Sequence, residues 1–204
     1  MAQITQGFRS ILSLPLVYST FQLMMGAHQF RTNFVSNHVR PFLDMSLLDI
    51  GCGPADILAY LPKINYWGYD ISESYILMAR ATYKDRGHFY CKLLQSEDLD
   101  RLPQFDLVLA IGLLHHLDGS DALEVMGLAY RALRPGGRLI TVDPCIDSTQ
   151  NAISRFLVGK DRGQNVREKK GYEMLAASVF KDFNAEVQHQ AWIPYTRCIM
   201  ECTK

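Results

Sequence analysis

The sequence predicts an α/β fold, a seven-stranded and mostly parallel doubly wound sheet with an antiparallel C-terminal strand and a helical N-terminal cap. Short apolar segments alternate with helix-like segments from Ser46 to Val142, as right-handed crossovers between parallel strands require. Two strand-like segments close the chain, and their tight junction at Pro194 suits an antiparallel pair. The chain has 204 residues, 48% of them hydrophobic, which is an ordinary size and balance for one globular domain.

The first five strands are predicted from short apolar runs that end in glycine or polar residues. They are Ser46 to Gly51, Tyr66 to Asp70, His88 to Leu94, Phe105 to Ile111 and Arg138 to Val142. Helices are predicted to begin at Pro54, at the capping residue Ser72 and near Asp118, the last ending at Leu133. A turn is predicted over Arg134 to Gly137, because proline and paired glycines interrupt regular structure.

The alternation of strands and helices ends after Val142. Residues 143–171 are polar and are predicted to form an insertion or a long connection. A helix is then predicted over Tyr172 to Phe180, followed by the closing strands Ala185 to Ile193 and Tyr195 to Cys202. At the other end, the apolar run Ile11 to Ala27 contains Pro15 and polar residues, and it is too short for a membrane span. We therefore predict an amphipathic cap and no integral membrane segment.

Charge and cysteine content argue against nucleic acid as a partner and against a disulfide-bonded protein. Lys plus Arg and Asp plus Glu number 21 each, so no overall positive field favours nucleic acid. The five cysteines match no disulfide framework, which indicates a reducing, cytoplasmic compartment. Cys198 and Cys202 could in principle form a metal site with His115 and His116. Small buried thiols are the favoured interpretation, and no metal is predicted.

The loop after the first predicted strand is the place to look for a ligand, because ligands on such sheets lie beyond the carboxyl ends of the strands. Gly51 and Gly53 allow this loop to turn sharply and leave no side chain between the backbone and a ligand. Asp56 occupies the position where a dinucleotide fingerprint has its third glycine. Asp70 ends the second strand, where a carboxylate can accept both hydroxyls of a ribose or simply cap the next helix.

Four segments together resemble the class I S-adenosylmethionine-dependent methyltransferases of the bacterial small-molecule type. They are Leu47 to Pro54, Gly68 to Ser72, Phe105 to Leu117 and Leu133 to Leu139, and they occur in the family's order. The resemblance covers roughly residues 46 to 145, and the closing strand pair is similar to the family's antiparallel seventh strand. It implies S-adenosylmethionine as the cofactor and S-adenosylhomocysteine as its product.

The resemblance also implies roles for individual residues in binding the cofactor. Asp49 and the loop Gly51-Cys52-Gly53 would line its methionine part, and Asp70 would hold its ribose. The other positions would contact the adenine or lie beside the sulfonium: Ile71 against the adenine face, Gln95 and Ser96 at the adenine edge, and Ile111 and Gly112 near the sulfonium. The family often has an aspartate where this sequence has Gln95, and this departure leaves the adenine contact open.

The candidate catalytic residues are His116, His115 and Asp143, which follow the fourth and fifth predicted strands. Histidine titrates near neutral pH, so either one could act as a base for the acceptor. Both could instead have a packing role, and Asp143 could simply hold the turn. The candidate acceptor-binding residues are Tyr18, Arg162 and Arg167, since arginine binds carboxylates and phosphates through paired hydrogen bonds. A charged run is also typical of a solvated surface.

These observations predict methyl transfer to an O, N or C nucleophile of a small metabolite (EC 2.1.1.-), by a monomer or homodimer. The predicted single domain divides into a cap (1–45), a cofactor-binding core (46–143), an acceptor-site insertion with a helix (144–183) and a closing strand pair (184–204). Two alternatives remain, a non-catalytic protein that binds S-adenosylmethionine as an adaptor and an NAD-dependent oxidoreductase. Asp56 and the closing hairpin argue against the oxidoreductase.

Overall fold

The computed structural model describes residues 27–159, 163–190 and 195–204. Eight strands are described, and seven of them lie side by side in one sheet. In chain order they are β1 (Ser46–Ile50), β2 (Asn65–Asp70), β3 (His88–Cys91), β4 (Phe105–Ile111), β5 (Leu133–Ile146), β6 (Arg167–Glu168), β7 (Asp182–Gln190) and β8 (Tyr195–Thr203). The strand order is β3-β2-β1-β4-β5-β8-β7, and the two-residue strand β6 pairs with the end of β5.

The described helices connect these strands. They are α1 (Ala27–Phe34), α2 (Glu73–Tyr83), α3 (Ser96–Leu99), α4 (Gly119–Ala132), α5 (Ala152–Gly159) and α6 (Lys169–Ala177). A π-helical turn, Val35–Val39, follows α1, and 3-10 helices cover Asp56–Tyr60, Lys84–Arg86 and Leu114–His116. None of the described helices is both long enough and apolar enough to cross a lipid bilayer.

The sheet confirms the predicted fold class. β1 pairs in parallel with both β2 and β4, and β4 pairs in parallel with β5. β8 is antiparallel to β5 on one side and to β7 on the other. The strand order reverses between β1 and β4, so the loops after these two strands face each other across the position where ligands bind in doubly wound folds.

Alternate residues of the central strands fill two separate cores, one on each face of the sheet. On β1, Leu48 belongs to the core beneath α4 and α6, whereas Leu47 belongs to the core beneath α1. Both side chains are fully buried. Successive side chains of a strand point to opposite faces, so a strand that is covered on both faces is apolar at most of its positions. This explains why β4, with the sequence FDLVLAI, is predicted from sequence with the bounds that it has in the structure.

The structure corrects four expectations about the elements. No helix begins at Pro54, because the loop is still turning at Ala55 (φ +59°), and only a 3-10 helix follows. The turn predicted at residues 134–137 lies within β5 as an irregularity and not before the strand, since Leu133 pairs with Phe105 and Arg138 with Leu107, and Gly136 between them has a φ of +75°. The segment 143–171 contains α5 and β6, so it is more than a connection. The predicted helix 172–180 begins three residues earlier, as α6.

Ion pairs attach the described part of the N-terminal region to the sheet. Arg31 on α1 contacts Asp56 at 2.8 Å, which places α1 over the 3-10 helix after β1. Glu201 on β8 accepts hydrogen bonds from His38 and Arg138, at 2.8 Å and 2.9 Å. Arg138 also donates to the carbonyl oxygens of His38 and Val39. Residues 27–39 are therefore fixed both to the 3-10 helix after β1 and to β5 and β8, and they cover one face of the sheet.

Candidate functional site

The loop after β1 is held by the end of β2. The backbone N–H groups of Gly51 and Cys52 both donate to the Tyr69 carbonyl oxygen, at 2.8 Å and 3.0 Å. Gly51 has a φ of +74°, and a Cβ there would lie 3.1 Å from a methyl carbon of Leu113. Both the left-handed backbone and the close approach favour glycine. The loop therefore lies between the end of β2 and the turn that follows β4.

Asp70 connects this loop to the start of α2. One carboxylate oxygen accepts from the Gly53 backbone N and the other from the Ser72 backbone N, both at 2.8 Å. Ser72 in turn caps α2 through its own side chain. Each carboxylate oxygen has capacity for a further donor. The expected contact with ribose hydroxyls is therefore compatible with the capping role that the sequence left as an alternative, since one carboxylate can do both.

Asp49 lies at the end of β1 and is 2% exposed. The Tyr66 hydroxyl donates to its Oδ2 at 2.7 Å, and its Oδ1 has no hydrogen-bond partner among the described residues. Burial raises the pKa of the Asp49 carboxyl to about 7, against the lowering effect of the Tyr66 hydrogen bond and with a smaller rise from Asp70. The charge of this carboxyl therefore changes at near-neutral pH.

We expect Asp49 to make the stability of the protein depend on pH. The folded chain keeps a proton that the unfolded chain loses above about pH 4, so folding becomes less favourable as pH rises from about 4 to about 7. The slope approaches about 1.4 kcal/mol per pH unit. Urea unfolding of the wild type and of Asp49→Asn at pH 5, 6, 7 and 8 measures it. Equal slopes for the two proteins would contradict the assignment.

The residues expected around the adenine lie at the ends of β2 and β3. Ile71 is 52% exposed, as a side chain that packs against a ligand would be in the free protein. The backbone N–H of Gln95 donates to Asp98 at 3.0 Å, at the start of α3. The Ser96 hydroxyl accepts a hydrogen bond from Arg131 of α4. Ser96 therefore has a structural contact, and its part in binding adenine stays a prediction.

The turn after β4 forms the opposite wall of the candidate site. Ile111 ends β4, and Gly112 follows with a φ of +66°. The Gly112 backbone N donates to the Val142 carbonyl oxygen on β5 at 2.7 Å. This bond joins the residue after β4 to an inner residue of the longer strand β5. It places the following 3-10 helix, with its two histidines, beside the first residues after Val142.

His115 and Asp143 form a buried pair behind this turn. The Nδ1 atom of His115 lies 2.8 Å from Asp143 Oδ1, and the His115 backbone N donates to the same oxygen at 3.1 Å. Their side chains are only 6% and 1% exposed. His116 is half-buried, and its ring centroid lies 4.0 Å from that of His115. The structure thus brings the three candidate catalytic residues together and gives the two histidines different environments.

The candidate acceptor-binding residues differ in what the structure shows of them. Tyr18 and Arg162 lie outside the described residues. Arg167 directs its guanidinium to backbone carbonyl oxygens, those of Leu114, Asn165 and Leu117. These contacts give Arg167 a structural role that its residue type alone did not indicate. Its role in binding the acceptor stays a prediction.

Sequence reasoning did not include Tyr66 and Gly163 in the site. The Tyr66 hydroxyl on β2 donates to the Asp49 carboxyl on β1. The sequence signal for this contact was a large polar side chain within an apolar strand. Gly163 packs against His115 so closely that a Cβ would lie 2.1 Å from His115 Cδ2. Glycine in a charged loop is a weak signal, because it is also common in solvent-exposed turns.

The five cysteines are all free thiols. Cys52, Cys145, Cys198 and Cys202 are buried free thiols, and Cys91 is exposed. Burial raises the pKa of the Cys52 thiol, with further contributions from Asp49 and Asp70. Within the described ranges, no three residues of the His, Cys, Asp or Glu types cluster closely enough to hold a metal ion.

The amino-acid sequence matches known methyltransferases over its central part. Residues 48–139 match the family model described as "Methyltransferase domain". The 27-O-demethylrifamycin SV methyltransferase of Amycolatopsis mediterranei is 38% identical over 109 residues, which are 48% of this chain and 38% of that protein. The ubiquinone biosynthesis O-methyltransferase of Idiomarina loihiensis is 24% identical over 114 residues, 53% of this chain and 46% of that protein. The chain therefore spans less than half the length of these two curated relatives.

Solved structures share the fold over almost the whole chain. The S-adenosylmethionine-dependent methyltransferase SibL has a TM-score of 0.70 at 18% identity, covering 99% of this chain and 62% of its own. The plantazolicin methyltransferase BpumL, solved with S-adenosylhomocysteine, has a TM-score of 0.64 at 16% identity, covering 96% and 93%. At such identities the likeness concerns the fold alone.

The matched segment, residues 48–139, covers less than half of the chain and includes the glycine loop, Asp70 and the turn after β4. The chain shares the Rossmann-like fold of these methyltransferases.

Proposed function

We propose that this protein transfers a methyl group from S-adenosylmethionine to an O, N or C nucleophile of a small metabolite. The observation that carries the proposal is the bridge made by Asp70, which holds the Gly53 backbone N and the Ser72 backbone N at 2.8 Å each. This bridge fixes the glycine loop at the carboxyl end of β1. It also fixes the Asp70 carboxylate beside that loop, at the carboxyl end of β2. The histidine turn after β4 faces the same end of the sheet, at the reversal of strand order.

The residues present suit S-adenosylmethionine. A Cβ added at Gly53 would meet no atom within 4 Å, so space lies open above the loop. Each carboxylate oxygen of Asp70 can accept a further hydrogen bond, which a ribose hydroxyl would donate. Ile71 offers an exposed apolar surface for the adenine. Asp49 holds a buried carboxyl beneath the loop, and its Oδ1, which has no hydrogen-bond partner among the described residues, would accept a hydrogen bond from the ammonium group of the cofactor. When bound, the cofactor supplies a methyl group that is already activated for transfer.

The chemistry left to the protein is to align the acceptor, exclude water and remove a proton. We assign the proton to His116, because its ring is half-buried and His115 is almost fully enclosed. His115 acts through its position. Its ring is fixed by Asp143 at 2.8 Å and supports the His116 ring from behind. Acceptors that bind already deprotonated need only the alignment.

A small metabolite is the proposed acceptor, on two grounds. The relatives are named for small molecules, 27-O-demethylrifamycin SV and ubiquinone biosynthesis. The formal net charge of zero gives no general attraction for nucleic acid. A cytoplasmic location and a monomeric or homodimeric state are part of the same proposal.

Two measurements test the proposal together. Isothermal titration calorimetry with S-adenosylhomocysteine and with NAD measures cofactor choice, and we expect binding of the first alone. Transfer of a labelled methyl group from S-adenosylmethionine to a panel of phenols, amines and carboxylic acids measures turnover. Binding of NAD without S-adenosylhomocysteine would contradict the proposal. Tight binding of S-adenosylhomocysteine without turnover on any acceptor would favour the non-catalytic adaptor.

A further inference from the structure

Arg167 connects the acceptor-side segment to the histidine turn. One terminal nitrogen of its guanidinium donates to the Leu114 carbonyl oxygen at 2.7 Å and to the Asn165 carbonyl oxygen at 3.1 Å. The other terminal nitrogen donates to the Leu117 carbonyl oxygen at 2.8 Å. Leu114 and Leu117 lie on either side of His115 and His116. The guanidinium thus spans the two ends of the turn that carries both histidines.

We propose that Arg167 is a positioning residue that fixes the histidine turn in the geometry needed for methyl transfer. The inference rests on the proposed function and adds to it a residue that does not touch the reacting atoms. It replaces binding of the acceptor as the main role of this arginine, because the two terminal nitrogens are directed to backbone carbonyl oxygens of the protein itself.

A guanidinium is suited to this task. The Leu114 carbonyl oxygen already accepts from the Leu117 backbone N at 3.2 Å, and a carbonyl oxygen has a second lone pair for a donor from outside the helix. The Leu117 carbonyl oxygen lies just beyond the helix, where carbonyl groups carry partial negative charge. The planar fork of arginine supplies two diverging donors to them at fixed distance, and a lysine ammonium cannot reproduce this arrangement. The 3-10 helix has only three residues, so its own hydrogen bonds are too few to fix its orientation, and contacts from outside decide it.

Other contacts from the same segment support the turn. The backbone N of Asn165 donates to the His115 carbonyl oxygen at 3.0 Å. Gly163 lies directly against the His115 ring, where any side chain would collide with the ring or with the His115 carbonyl oxygen. Gly171 leaves room for the stem of Arg167, since a Cβ there would lie 3.1 Å from Arg167 Cβ. Residues 163–167 therefore hold the turn from one side, and Asp143 holds it from the other.

The test compares Arg167→Gln and Arg167→Lys with the wild type in the full chain saturated with S-adenosylhomocysteine. Hydrogen–deuterium exchange of the peptide covering residues 113–118 reports the turn directly. We expect exchange there to rise about tenfold in both variants, the scale of a lost charge-assisted hydrogen bond. With an acceptor from the panel, kcat should fall about tenfold or more while KM stays within about twofold.

Arg86→Gln is the matched control. Arg86 also donates to backbone carbonyl oxygens, those of Leu61 and Pro62, but lies away from the candidate site. Exchange in residues 113–118 and kcat should stay at wild-type values in this variant. Thermal unfolding of all three variants identifies any general loss of folding, and Arg167→Lys is the milder substitution should Arg167→Gln fail to fold.

The outcomes separate this inference from the proposed function. Unchanged exchange in residues 113–118 of both Arg167 variants would overturn the positioning role, whatever the activity. Unchanged exchange with a raised KM would assign Arg167 to acceptor binding instead. If the wild type transfers no methyl group to any acceptor, the proposed function fails, and the exchange measurement still decides whether Arg167 holds the turn.

Discussion

Replacing Asp70 with alanine is expected to weaken the binding of S-adenosylhomocysteine by about 100-fold or more, about 2.7 kcal/mol. The carboxylate makes two hydrogen bonds to backbone N–H groups, from Gly53 and Ser72, and each bond to a charged group contributes about 1.5–3 kcal/mol. Its removal takes away the proposed ribose contact and also releases the glycine loop from α2. Isothermal titration calorimetry measures the affinity.

Two further variants identify the origin of this effect. Asp70→Asn keeps one carbonyl oxygen and should fall between the wild type and Asp70→Ala. Asp118→Ala is the matched control, because Asp118 caps α4 by accepting from the Asp121 backbone N, and it should lower stability without changing cofactor affinity. An Asp70→Ala protein with affinity within about threefold of the wild type would show that Asp70 is a cap and nothing more.

His116→Ala is expected to lower kcat by about 100-fold, the lower end of what a positioned general base contributes. The affinity for S-adenosylhomocysteine should stay within about twofold of the wild type, since the glycine loop and Asp70 are untouched. His116→Gln keeps a polar side chain of similar size and should be equally slow. The measurement is the rate of labelled methyl transfer at saturating S-adenosylmethionine.

His115→Ala should behave differently from His116→Ala. It removes the partner of Asp143, whose side chain is 1% exposed, and leaves a buried carboxylate without its main contact. Breaking such a pair typically costs about 3–5 kcal/mol of stability. A large loss of thermal stability in His115→Ala with little loss in His116→Ala would agree with the proposed division of roles. Equal losses of stability in both would make both histidines structural.

The fold was predictable because its signals are local. Each buried parallel strand is an apolar run, and the closing pair has a connection that only antiparallel strands allow. The helix expected at Pro54 was wrong because Ala55 adopts a left-handed conformation, which is uncommon for alanine and has no sequence signal. The helix α5 was missed because the residues on both sides of it are polar, although its own sequence, AISRFLVG, is mostly apolar and only Ser154 and Val158 are buried.

The residue types of the site were easier to predict than their contacts. His115 and Asp143 are 28 positions apart, yet the adjacency of β4 and β5 in a doubly wound sheet is enough to expect them at one edge. The direction of the Arg167 guanidinium could not be predicted in the same way. Arginine donates equally well to a ligand and to a backbone carbonyl oxygen, and only the folded chain shows that Leu114 and Leu117 are within reach.

The position of β8 has a consequence for the order of assembly. β5 and β7 have no direct pairing and are joined only through β8, which comes last of the three in the chain. Until residues 195–203 insert between them, β7 and the side of β5 that pairs with β8 have unpaired backbone N–H and C=O groups. Unpaired strand edges of this kind can pair with other chains. Insertion of this late segment joins residues distant in sequence, which slows folding. We expect aggregation during refolding to compete at this step, ahead of any step in the cofactor-binding half.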